Sequence, residues 1–283
     1  MSDRMISLDW SGAGSETKSV DLRIAKFDAA LKEPIIVRRS DQNRSWTRRA
    51  FRWWITNELR DKQPAFVVMD FGFGLPWGSD QAVFGVAGWR AMISAIAKKY
   101  EESGTARATA ESINSDGRFR GHGPYRFNSN RNDFRFYVDN GIAYYRLTEL
   151  IAPQAISQWY FGSGAAVGFH TISGLAAIHH PILKREAREL DFCIWPHECL
   201  SPDGTKHVIA ESYPALCNYA GDFGPCRDRH EQDAWKVLQM LLMRRNEGRL
   251  RDLFQVREQP LGRIAGVDFQ RQIQFEGYIV GLT

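Results

Sequence analysis

The chain has no long apolar run. Nothing in it approaches the roughly 18 consecutive apolar residues that a membrane-spanning helix needs, so a soluble protein without a membrane partner is expected. Met1-Ser2-Asp3-Arg4 leads directly into an apolar segment and leaves no space for the basic and hydrophobic regions of a signal peptide, which points to the cytoplasm. Cysteine is scarce as well. Cys193, Cys199, Cys217 and Cys226 include no Cys-x-x-Cys pair and do not make a disulfide framework in a chain of 283 residues, so reduced thiols are expected. Cys193, His197 and Cys199 lack a standard zinc spacing, and burial explains them more simply than a zinc site does. Neither sign of charge dominates, since 37 Lys and Arg against 33 Asp and Glu leave a formal net charge of +4. No internal repeat or low-complexity tract occurs. No Gly-Lys-Ser/Thr step follows the small-residue stretch from Gly162 to Gly168, so close helix packing accounts for it better than a phosphate loop does.

What is present is an ordinary globular composition, 43% hydrophobic and 25% charged, enough for one elaborated domain or two small ones. The arginines are spread unevenly. Arg38, Arg39, Arg44, Arg48, Arg49 and Arg52 crowd one region, and Arg118, Arg120, Arg126, Arg131 and Arg135 another. Each cluster is either a phosphate-facing surface or a solvated face that keeps the protein soluble. Phe119, Tyr125, Phe127 and Phe134 alternate with the second cluster, as stacking partners for bases do. Arg48, Arg49, Arg118, Arg120, Arg126 and Arg131 are therefore the candidate nucleic-acid contacts.

The stretch from Met5 to Gly14 is an apolar strand that delivers Asp9 into a glycine-rich turn, a costly place for an acid unless a cation pairs with it. Val20 to Lys26 alternates as a half-buried strand, and Pro34 to Arg39 is its partner, so residues 5–39 are expected to form three antiparallel strands. Ser45 is placed to cap a helix with Trp46, Ala50, Trp53, Trp54 and Ile55 on its apolar face, ending near Lys62. Ala65 to Asp70 is a continuous apolar run that again ends in an aspartate before glycines. A helical crossover between the first and fourth strands makes them parallel neighbours and brings Asp9 and Asp70 side by side.

The middle of the chain is less regular. A helix is expected around Trp89 to Ser103, a long surface loop over Arg107 to Asp133, and a helix over residues 142–160. His207 to Pro214 is another buried strand, with Glu211 at its end. The clearest helix follows, with Asp228 and Glu231 as a capping-box pair and Ala234, Val237, Leu238, Leu241 and Leu242 as its apolar stripe. His230 and Asp233 lie along the edge of that stripe. Phe275 to Leu282 closes the chain as an apolar segment packed on the core.

Asp9, Asp70, Glu211 and Asp233 thus come from three strand ends and one helix, and converging acids of this kind suit Mg²⁺ or Mn²⁺, one ion or two. His230 is a candidate proton carrier. The order of the Asp9 strand, hairpin, helix, Asp70 strand and late His230-Glu231-Gln232-Asp233-Ala234 resembles the ribonuclease H-like superfamily, and His-x-x-Asp-Ala is similar to the step in RuvC-type nucleases. A closer resemblance is to the domain of unknown function 429 family, a predicted nuclease group. It rests on the Asp9 strand, Val68-Met69-Asp70-Phe71-Gly72-Phe73-Gly74-Leu75-Pro76, Glu211-Ser212-Tyr213-Pro214, Asp233-Ala234 and Glu276-Gly277-Tyr278-Ile279. The resemblance implies metal ligands at Asp9, Asp70 and Asp233 and a fourth acid at Glu211. Asp70 stands where many RuvC-type enzymes carry glutamate, and Glu211 has no fixed place in the simplest form of that site.

The expected fold is therefore α/β, a ribonuclease H-like mixed sheet flanked by helices. Its core is placed at residues 1–76 and 205–283, with a largely helical insertion at 77–204 carrying a basic loop near 107–135. The expected activity is metal-dependent hydrolysis of phosphodiester bonds in a nucleic acid. An ATP-using phosphotransferase of the actin and sugar-kinase type and a non-catalytic nucleic-acid-binding module are the alternatives.

Overall fold

The computed structural model describes residues 3–12, 17, 20–39, 46–60, 63–119, 121–127, 134–152, 154–162, 166–179, 190–258 and 262–282. The first strand, β1 (Arg4–Asp9), is buried at all six positions. It pairs antiparallel with β2 (Arg23–Asp28), which pairs antiparallel with the short β3 (Ile35–Ile36). Helix α1 (Arg48–Leu59) then crosses over to β4 (Ala65–Met69), which lies parallel to β1 with Leu8 beside Met69. The hairpin and the parallel return thus follow the expectation. Ser45 lies outside the described residues, and Thr47 caps the helix by accepting from the backbone N–H of Ala50.

Five further helices follow: α2 (Trp89–Ser103), α3 (Ala106–Asn114), α4 (Arg135–Asn140), α5 (Leu147–Ile151) and α6 (Val167–Ile178). The surface loop expected over 107–133 therefore begins as a helix. Ala106, Thr109, Ala110 and Ile113 are buried at helical spacing, and Thr105 caps α3 by accepting from Ala108. Among the described residues of 142–160, Leu147–Ile151 alone is α-helical. Strand β5 (Phe192–Trp195), from within the expected insertion, joins the sheet edge parallel to β6 (His207–Glu211). Helices α7 (Arg229–Asn246) and α8 (Phe269–Glu276) complete the chain. The sheet order is β3-β2-β1-β4-β6-β5.

This is an α/β fold, a six-stranded mixed sheet flanked by helices. Alternation along the strands sorts their side chains onto two cores. Ile6, Leu8, Ile24, Val67 and Met69 pack with α1, α2 and α6, while Met5, Ala25, Phe66, Val68 and Ala210 pack with α7 and α8. In α7 the expected stripe is the buried face, each of its larger side chains contributing about 1.5–3 kcal/mol of burial. In α1 the apolar face is narrower than expected. Phe51, Ile55 and Leu59 are buried, but Trp53 is 71% exposed because the helix turns that side to solvent. Among the described residues no helix is long and apolar enough to cross a membrane.

Candidate active site

The parallel strands β1, β4 and β6 end at the same sheet edge, where open α/β sheets commonly place their ligands. Asp9 is the last residue of β1, and Asp70 follows β4, its N–H donating to Leu8 O over 3.0 Å. The two carboxyls are near enough for the negative charge of Asp9 to oppose ionisation of Asp70. Burial raises the pKa of both. Asp70 is held well above the usual carboxylate range, first by burial and then by the negative charges of Asp9, Asp233 and Glu211. Adjacent acids in such a setting favour the protonated form of one of them until a cation arrives.

Helix α7 forms one wall. His230 Nδ1 lies 2.7 Å from Asp9 Oδ2, and this carboxylate raises the imidazole pKa. Asp233, three residues on, is 30% exposed and lies 3.9 Å from Arg229. The cavity above these groups measures about 900 Å³, and Asp9, Asp70, Glu211, His230, Asp233 and Lys236 all line it. The structure thus brings the four acids and the histidine of the sequence reading to one place. Asp9, Asp70 and Asp233 are the residues that could hold a metal, although no three His, Cys, Asp or Glu side chains are already gathered at metal-holding distance among the described residues.

Glu211 is engaged differently from the other three acids. Arg146, fully buried and immediately before α5, donates Nη1 to Glu211 Oε2 over 2.8 Å and Nη2 to Oε1 over 2.7 Å. The N–H of Phe73 adds a third donor to Oε2 at 3.1 Å. Arg146 also donates Nε to Glu149 over 2.6 Å and Nη1 to Glu276 O over 3.0 Å. Burial opposes the charged guanidinium, but Glu211 and Glu149 outweigh it and raise its pKa. With its lone pairs answered in this way, Glu211 positions the Asp70 turn and Arg146 rather than offering a free acid. The sequence reading passed over Arg146. Its signal is the Arg-x-x-Glu spacing of Arg146 and Glu149, whose carboxylate accepts from the Arg146 N–H at 2.9 Å.

His170 on α6 also lines the cavity and was not anticipated. Burial, then the nearby His230 and Arg48, lower its pKa to about 4, which leaves it neutral at pH 7. Gly12 fixes its distance from β1, since a Cβ there would sit 2.4–2.5 Å from the backbone of Phe169 and His170. Gly168 and Gly174 serve α6 packing, where added Cβ atoms would meet Phe161 and Phe71. The small-residue stretch is thus used for close approach at its described end, residues 163–165 lying outside the described part.

Among the described residues the arginine clusters do not form continuous basic surfaces. Arg48 is fully buried, donating to Tyr100 Oη over 2.9 Å and to Ser11 O over 3.3 Å, so it braces the loop after β1 and cannot reach a nucleic acid. Arg118 is engaged by Asp116 at 2.8 Å and by Val83 O at 3.1 Å. Arg126 lies over the Phe134 ring at 4.8 Å, and Arg49 is exposed on α1. Arg120 and Arg131 lie outside the described residues. Of the aromatics expected to stack on bases, Phe119 and Tyr125 are buried in the core.

The expectation of reduced thiols fails at one pair. Cys193 and Cys199 form a disulfide across the turn after β5, with Cα atoms 6.1 Å apart, which also removes both sulfurs from any zinc site. His197 is instead stacked on Trp89, with centroids 4.1 Å apart, and its Nδ1 lies 2.7 Å from Gln274 O. Comparison of the chain with protein-family models, with curated proteins and with solved structures finds no match.

Proposed function

We propose that the protein is a metal-dependent phosphodiester hydrolase acting on nucleic acid, with a ribonuclease H-like core. The observation that carries this reading is the Asp9–Asp70 pair, two carboxyls at neighbouring parallel strand ends that line one open cavity with Asp233 and, among the described residues, meet His230 at Asp9 but no lysine or arginine. Their chemistry fits Mg²⁺ or Mn²⁺, which take carboxylate oxygens and keep water ligands. One or two such ions would supply charge stabilisation at the phosphate and a more acidic water. The chain's own residues do the rest. Asp9 and Asp70 from the strand ends and Asp233 from α7 would hold the ion as carboxylates. His230 keeps Nδ1 directed to Asp9, which orients the ring and leaves the other nitrogen to exchange a proton with a reacting oxygen. Arg146 and Glu211 hold the Asp70 turn through Phe73. The antiparallel three-strand entry, the helical crossover and the parallel β4 are compatible with a ribonuclease H-like core.

The test is incubation of the purified protein with labelled single- and double-stranded DNA and RNA in Mn²⁺, Mg²⁺ or EDTA, beside Asp9→Asn and Asp233→Asn. Cleavage that needs metal and disappears in both variants is the expected result. No cleavage of any substrate, with no metal-induced rise in melting temperature, would overturn the reading.

A further inference from the structure

Hydrolysis at Asp9 and Asp70 requires a phosphate beside them, and their burial restricts which phosphate can arrive. Asp9 is only 5% exposed, at the bottom of the cavity of about 900 Å³. The walls come from both ends of the chain and from its middle, with Gln154, Gln158 and His170 opposite α7. At the rim, Tyr213 Oη donates to Gln154 O over 2.8 Å and ties the end of β6 to the residues after α5. A cavity of this size takes one small molecule with most of its surface covered. A duplex is stiff over roughly 150 base pairs and holds its phosphates on the outside of a cylinder, so it cannot lower one of them to the floor of such a cavity. An unpaired nucleotide can, because its base and phosphate move independently of a stack.

Two lining residues carry polar groups for which the fold shows no use. Lys236 stands on α7 one turn beyond Asp233, on the face that also presents Arg229, and makes no ion pair among the described residues. Ser212, directly after β6, is 3% exposed, and its buried hydroxyl has no hydrogen-bond partner. An orphaned buried hydroxyl is costly in a finished core. A phosphate oxygen answers both groups, taking the ammonium as a point charge and the hydroxyl as a donor.

We propose that this cavity binds a single unpaired nucleotide phosphate, free or within a single strand, through Lys236 and Ser212, and keeps duplex away from the acids. The inference rests on the hydrolase reading but is tested by binding alone. Fluorescence anisotropy with Ca²⁺ in place of Mg²⁺ compares a labelled single-stranded oligonucleotide with its duplex, using a nucleoside monophosphate as unlabelled competitor. The single strand is expected to bind at least about 10-fold more tightly than the duplex, since the duplex must first unpair a nucleotide. Lys236→Met should weaken single-strand binding about 10-fold and Ser212→Ala less, with unchanged melting temperature in the lysine variant. Displacement by the monophosphate identifies a free ester as sufficient, and displacement only by unlabelled single strand identifies a nucleotide within a chain. Duplex binding as tight as single-strand binding overturns the proposal, as does wild-type affinity in Lys236→Met. If binding follows the expected order while no substrate is cleaved in Mg²⁺ or Mn²⁺, the hydrolase reading falls and the binding assignment stands.

Discussion

Two acidic places lie next to each other on one sheet edge and solve the same electrostatic problem in opposite ways. At the end of β6, Glu211 is buried and its charge is answered from within the chain by the Arg146 fork, with Glu149 and Glu276 anchored to the same group. At the ends of β1 and β4, Asp9 is buried and Asp70 half-buried, the charge of Asp9 opposes that of Asp70, and among the described residues no arginine fork answers either. The first arrangement is a finished structural joint. The second keeps a charge deficit in an open cavity, which is how a site for an added cation differs from a salt bridge of the fold.

The largest effect should come from breaking the finished joint. Arg146→Met leaves Glu211 and Glu149 buried without their counter-charge, and removal of one partner from a buried ion pair costs about 3–5 kcal/mol. Urea unfolding at pH 7 measures it. A loss below about 1 kcal/mol would mean that the network is not what anchors Glu211.

The unfinished site should respond in the opposite sense. Asp70→Asn removes an acid whose charged form is opposed by burial and by Asp9, so stability at pH 8 should hold or rise by about 1 kcal/mol. Metal-dependent cleavage should meanwhile fall by more than about 100-fold, or 2.7 kcal/mol of activation free energy. The metal response sharpens the contrast. Saturating Mn²⁺ at about 100 times its dissociation constant should stabilise the wild type by about 2.7 kcal/mol and Asp70→Asn by much less, read as denaturation midpoints with and without EDTA. Equal stabilisation of both would place the ion elsewhere.

The two places were not equally legible in the sequence. Asp9 and Asp70 stood out because each ends a mostly apolar strand and precedes glycines, a local pattern that periodicity and turn chemistry expose. His230 and Asp233 followed from their three-residue spacing on the strongest helix. Arg146 was less legible, because its Arg-x-x-Glu step opens a helix only five residues long and its partner Glu211 is 65 positions away. Arg48 misled for the same reason. It sits in a run of arginines that looks solvated, and only its contact with Tyr100, 52 residues on, reveals that it is buried. The Cys193–Cys199 bridge likewise depends on how the turn after β5 folds back, which a separation of six residues does not disclose. Patterns along the chain reveal the unpaired acids, whereas satisfied charges are defined by partners distant in sequence.

Histidine gives a smaller contrast in pH dependence. His197, packed against Trp89 within the same buried region as Arg146, has its pKa lowered to about 3, first by burial. Its folded value lies below its unfolded value near 6.5, so the unfolded chain binds the extra proton between the two. Stability from keeping this ring neutral is complete above pH 6.5 and is lost as pH falls toward 3. Between pH 7 and pH 5 the loss should be about 1–2 kcal/mol, and His170 adds in the same direction. His197→Gln should flatten that slope by roughly its own share, measured as urea midpoints at the two pH values. An unchanged slope would mean that other groups set the acid response.

The smallest effect is expected where charge is neither buried nor in the cavity. Arg118 pairs with Asp116 while 53% exposed, and the pair lowers the Asp116 pKa to about 2. Water screens such a pair and its side chains lose freedom in forming it, so Arg118→Ala should change stability by no more than about 0.5 kcal/mol. Because Asp116 already neutralises this guanidinium, the variant should also leave the salt dependence of oligonucleotide binding almost unchanged. A phosphate-bound arginine would instead reduce the slope of log affinity against log salt by about 1 when removed. Measuring that slope for Arg118→Ala beside Lys236→Met sets the outer basic residues against the cavity lysine. A drop for Arg118→Ala and none for Lys236→Met would move nucleic-acid binding out of the cavity and onto the surface of the inserted helices.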